Sequence, residues 1–160
     1  MTDISKHEKA ALGVIETIND PDRLRAMIEN ARKKGSSVVE SAAFQRLCFV
    51  QPSAKPGTLE HDVWQSIHAL EQMLFEERGK NVRLSRTRQK IARDGEAKTV
   101  ADLTLRDTPS EGYFQLVERG FPELLFESLV LRHPEVFDEN VKAAAERRLK
   151  IMGINLHLDV

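Results

Sequence analysis

Helix starts and helix stops punctuate this chain from end to end, and that punctuation restricts it to an all-α fold. Ser5-Lys6-His7-Glu8 has capping-box form and predicts a helix to about Ile18. Asp20 before Pro21 reads as an N-cap followed by proline at the first helical position, and Gly35 stands where a C-terminal glycine belongs. Between them Leu24, Met27, Ile28 and Ala31 recur at three and four residues, which is one face of a helix. Ser37-x-x-Glu40 is a second capping box and opens a helix whose inner stripe is Val39, Ala42, Ala43 and Leu47. After the loop Gln51 to Gly57, Thr58 caps the longest helix, which runs to about Arg78 and closes at Gly79. Val63, Ile67, Leu70 and Leu74 form its narrow apolar arc, widened by Trp64 and Phe75.

The second half repeats the pattern with shorter elements. One helix is expected from Ser85 to Gly95 and another from Thr99 through Leu105. Thr108-Pro109-Ser110-Glu111 opens the next, ended by Gly120, and Pro122 starts one that reaches about Arg132. Asp138 caps the last, to Met152. No sustained period-two run of β-branched residues occurs. The expectation is a compact, orthogonal multi-helix bundle of eight or nine mostly short helices. With 160 residues, 41% of them hydrophobic, the chain is long enough to enclose a core as one domain. Its parts are N-terminal helices in 1–50, a loop at 51–57, a main helical cluster at 58–153 and a tail at 154–160.

The pattern V-x-x-A-A-x-x-R-L occurs twice, from Val39 to Leu47 and from Val141 to Leu149. Two distant copies set no period. The plainer reading is a tightly packed amphipathic helix written twice, and the alternative is a duplicated helical hairpin.

Charge supplies the one functional signal. The chain holds 24 Lys and Arg against 25 Asp and Glu, a net charge of −1. Near neutrality hides an uneven distribution. Arg78 to Arg93, RGKNVRLSRTRQKIAR, has seven basic residues and no acid, and the remaining 17 basic residues face 25 acidic ones, a net charge of −8. On a helix, Arg86, Lys90 and Arg93 fall within a strip of ~60°. Arg83 belongs either to that strip or to the approaching loop. Leu84, Thr87 and Ile91 point elsewhere and serve to dock the helix.

Crowded cations need carboxylates from elsewhere in the fold or an outside polyanion, and arginine's planar fork suits bidentate contact with phosphate. The sequence therefore predicts a non-enzymatic protein that contacts the backbone of DNA or RNA. Arg83, Arg86, Lys90 and Arg93 neutralise phosphates, Lys80 and Arg88 assist from the flank, and Thr87 and Gln89 donate neutral hydrogen bonds. No aromatic residue interrupts the segment, so base stacking is not expected within it. Ser85 to Leu105 has a helix-turn-helix outline. Ile91 stands where such a motif needs a small residue, and the turn Asp94-Gly95-Glu96-Ala97-Lys98 is long and charged, so base reading is not expected either. The plainer reading is a solvated face whose cations pair with Glu76, Glu77, Asp94, Glu96 or acids of other helices.

A second class of function is an adaptor. The basic strip would engage an acidic protein surface, or the apolar stretch Phe121 to Leu131 would pair two copies as a homodimer. A metal-dependent nuclease or small hydrolase is the third reading. Its support is thin. His61 and His68 are seven residues apart, ~10.5 Å along a helix axis, too far to share one ion. Cys48, the single cysteine, lies among Phe44, Leu47, Phe49 and Val50 and reads as a buried thiol. No cofactor is expected. The charged N-terminus, the lack of an apolar run near ~18 residues and the absence of a prenylation cysteine in the final LHLDV predict no membrane partner and a cytoplasmic location.

Overall fold

The computed structural model describes residues 5–154, and over them the fold is all-α. Among the described residues there are nine α-helices, one 3₁₀ turn and no strand. They are α1 (Lys6–Ile15), α2 (Pro21–Lys34), α3 (Ser37–Val50), α4 (Leu59–Arg78), α5 (Ser85–Asp94), α6 (Glu96–Thr104), α7 (Glu111–Arg119), α8 (Phe126–Arg132) and α9 (Glu139–Ile151), with the 3₁₀ turn at Pro122–Leu124. No helix among the described residues is long and apolar enough to cross a membrane. Of the expected tail, residues 155–160 lie outside the described residues. The chain divides into two compact units, Met1–Ser53 and Ala54–Val160, and the division falls within the expected loop.

In the first unit α2 pairs with α3, and α1 lies on α3. Leu24, Ile28 and Ala31 of α2 and Val39, Ala43, Phe44 and Leu47 of α3 are all buried. Ser5 and Glu8 cap α1 reciprocally as expected, and Glu8 also accepts from the Ser36 hydroxyl at 2.6 Å. That serine hydroxyl, not Ser37, caps α3 by accepting from the Val39 amide. The Glu40 of the expected box turns instead to Arg32, at 2.9 Å. Helix α1 ends at Ile15, three residues short of the expected Ile18, although Ile18 is buried.

In the second unit Leu59, Val63 and Ile67 of α4 form a core with Ile91 of α5, Val100 of α6, Leu129 and Val130 of α8, Phe137, and Val141 and Ala145 of α9. Trp64, Leu84 and Phe126 pack against its edge. The stretch Phe121–Leu131 is not one helix. Leu125 is extended at φ −65°, ψ 143°, separating the 3₁₀ turn from α8. Phe121, Leu124, Leu125, Leu129 and Val130 are all buried within this chain, and little of this stretch is left for pairing with a second copy. His133, which the sequence marks only as a stop, places Nε2 2.6 Å from Asp62 Oδ2 and ties the end of α8 to the first turns of α4.

The two copies of the repeated pattern share one device. Arg46 of α3 donates from Nε to the Ile18 carbonyl at 3.0 Å, just past the end of α1. Arg148 of α9, its counterpart in the second unit, donates to the Leu103 carbonyl at 3.0 Å and to the Arg106 carbonyl, at the end of α6. In each unit the motif arginine donates to backbone carbonyls at or just beyond the end of another helix.

Candidate functional site: the α4–α5 turn

The basic segment starts in the last turn of α4, crosses a loop and becomes α5. Gly79 closes α4 at φ +71°, a left-handed conformation that glycine adopts without strain. The loop 79–84 then runs back along α4. Its return is fixed at Leu84, whose amide donates to Glu71 Oε2 at 2.8 Å. Ile91 is buried in the core, and Leu84 packs against that core. Two of the three expected docking residues therefore dock α5, while Thr87 is half-buried. Leu84, not Ser85, is the N-cap residue, and it supplies no side-chain acceptor.

The seven cations separate into two groups. Arg88 is held by Glu71 through two bonds, Nε to Oε2 at 2.8 Å and Nη2 to Oε1 at 2.6 Å. Its guanidinium also lies over the Trp64 ring, 5.1 Å from the centroid. Burial pushes the Glu71 carboxyl up, but the bonds from Arg88 and the Leu84 amide outweigh it and leave the group below its usual range. Lys90 Nζ sits between Asp102 at 2.7 Å and Asp94 at 2.9 Å, with its side chain only 17% exposed. Those two carboxylates raise the lysine above its ordinary value. Arg93 reaches Asp94 at 3.2 Å but keeps its side chain 69% exposed. Together Arg93 and Lys90 pull the Asp94 carboxyl down to about 2.

The second group is Arg78, Lys80, Arg83 and Arg86. All four are exposed, and none makes an ion pair or side-chain hydrogen bond among the described residues. The acids nearest in sequence are engaged elsewhere or turned away. Glu76 pairs with Arg119 at 3.0 Å, Glu96 accepts from Trp64 Nε1 at 3.4 Å, and exposed Glu77 makes no ion pair with any of the four. The expected strip Arg86–Lys90–Arg93 is thus divided. Its middle member is neutralised by two acids, and its outer members face solvent with Gln89 between them. Thr87 makes no side-chain hydrogen bond among the described residues. The uncompensated charge is concentrated in the turn before α5.

The carboxylates that matter here, Glu71 and Asp102, are 17 and 12 residues from their partners Arg88 and Lys90. The sequence gives no local sign of either pairing. Asp94 alone, four residues after Lys90, has the spacing of a helical ion pair.

Other candidates carry less. His61 is buried, and His68 packs at 6.5 Å from Trp64. Among the described residues no group of three His, Cys, Asp or Glu side chains gathers to hold a metal. Cys48 is buried. A cleft of about 50 Å³ lies beside Ser66, Tyr113, Glu127 and Arg148, enough for a few waters. Its carboxylate is already bonded to Arg148 at 2.8 Å, and burial and then the Glu127 charge push the Tyr113 hydroxyl up. No protein-family model, no curated protein and no solved structure matches the chain.

Proposed function

We propose that this protein associates with nucleic acid by neutralising backbone phosphates at the α4–α5 turn. The observation that carries the reading is the exposure of Arg78, Lys80, Arg83 and Arg86 with no carboxylate partner among the described residues. Four like charges within the nine residues from Arg78 to Arg86 repel one another, and a phosphate chain relieves that repulsion while releasing its own counterions. Arg86, Gln89 and Arg93 extend the contact along the solvent side of α5. Arg88 and Lys90 act differently in this reading. They hold α5 in place through Glu71, Asp94 and Asp102, so they present the site and do not bind.

The contact is to backbone and not to base edges. The free cations sit on the last residue of α4, the loop and the first turn of α5, and α6 follows α5 after the single residue Gly95. The test is charge reversal at the free pair. Arg83→Glu with Arg86→Glu should abolish retention on immobilised DNA and RNA at low salt while the melting temperature stays within a few degrees of the native protein. Retention unchanged by that double substitution contradicts the reading.

A further inference from the structure

The cationic turn has an aromatic neighbour that the basic segment itself lacks. Phe75 is on α4, four residues after Glu71, so the two side chains leave the same face of the helix. That face receives the returning loop, because Leu84 and Arg88 both bond Glu71. Phe75 lies one turn further on along α4, four residues before the loop opens at Gly79 and three before Arg78. The residue is 36% exposed, and its ring has no aromatic or cationic partner among the described residues. The other aromatic residue of α4, Trp64, is covered by Arg88.

We infer that the turn binds single-stranded nucleic acid in preference to duplex, with Phe75 as the ring on which a base stacks between the phosphate contacts of Arg78, Lys80, Arg83 and Arg86. The inference rests on the phosphate reading above and specifies its substrate. A duplex presents phosphates but keeps its base faces stacked inside, so it engages the four cations and leaves Phe75 in water. A single strand offers both groups at once. It places a base over an apolar ring that is otherwise half-wet, while its phosphates meet charges that otherwise repel.

The experiment is fluorescence anisotropy with labelled oligo-dT and oligo-U of about 12 nucleotides and a duplex of about the same length, at ~50 mM salt. The native chain is compared with Phe75→Leu, which keeps the bulk and removes the π face, and Phe75→Trp, which restores it. Thermal melting of each variant confirms that it folds. The expected result is that at least one single strand binds about tenfold tighter than duplex. Phe75→Leu then loses about tenfold on single strands and nothing on duplex, and Phe75→Trp regains the loss. Equal binding of all probes, with Phe75→Leu silent, overturns the stacking inference and leaves the phosphate reading standing. No binding of any probe by the native chain overturns the phosphate reading and this inference with it.

Discussion

Arg88 grips Glu71 with both arms of its guanidinium, at 2.8 and 2.6 Å, while its flat face covers Trp64. The same carboxylate accepts the Leu84 amide. One glutamate therefore fixes where the loop returns, where α5 starts and how the single tryptophan is packed. An arginine that the sequence groups with a phosphate-binding run is a clamp that sets the run in place. Glu71→Ala should destabilise the second unit by about 2 kcal/mol, because it leaves a half-buried guanidinium and an amide without their acceptor. The Arg88→Ala and Glu71→Ala substitutions should couple by about 1–2 kcal/mol in a double-mutant cycle. Urea unfolding followed by Trp64 fluorescence measures both.

Acid should loosen the junction between α5 and α6 in a defined range. Lys90 bridges Asp94 and Asp102, and Arg93 adds to Asp94. The Asp94 carboxyl falls from 3.8 to about 2 in the folded chain, with Arg93 and then Lys90 as the cause. A carboxyl depressed by folding stabilises the fold above its unfolded value, and that stability is lost as pH falls through the folded value. Asp94→Asn should therefore melt below the native chain at neutral pH. The gap should be complete above about pH 5, shrink below 3.8 and close near 2. Melting temperatures across that range check the sign, and a gap that widens in acid contradicts the assignment.

The buried pair Glu127–Arg148 predicts a larger effect than either of the preceding, less buried bridges. Their side chains are 6% and 10% exposed, and Arg148 also serves the Leu103 and Arg106 carbonyls. Arg148→Met should cost about 3–5 kcal/mol, because it strands a buried carboxylate and the end of α6 together. Adding Glu127→Leu should recover part of that loss by removing the stranded charge. Equilibrium unfolding of the single and double variants is the check.

Local chemistry made much of the architecture readable. Asp20 with Pro21, Thr58, Asp138 and the closing glycines Gly35, Gly79 and Gly120 act where capping chemistry puts them. Each is a short-range interaction, so the residues alone specify it. The errors have two sources, a distant partner and a glycine joint. Ser36 displaces Ser37 as the cap of α3 while its hydroxyl reaches Glu8, 28 residues away. Thr99 does not start α6. Gly95, at φ +90°, is a one-residue joint, and Thr99 turns its hydroxyl inward to the Gly95 carbonyl. The expected five-residue turn is consequently a single glycine.

The site divides in the same way. Cationic crowding was visible as composition, since it needs no partner to be counted. Which cations stay uncompensated depends on Glu71 and Asp102, brought in by α4 and α6, and no local spacing announces them. Phe75 likewise has the spacing of an apolar face, and it is the loop's return to Glu71, one turn before it on the same side of α4, that relates it to the charges.

The most direct measurement is the salt dependence of binding to a single-stranded oligonucleotide, compared between the native chain and a variant carrying Arg83→Ala and Arg86→Ala. The four uncompensated cations alone contribute a log–log slope of about −2.8, and losing two of them should make the native slope shallower by about 1.4. A native slope near zero, or one that the double substitution leaves unchanged, would show that the exposed cations of the α4–α5 turn do not hold phosphate.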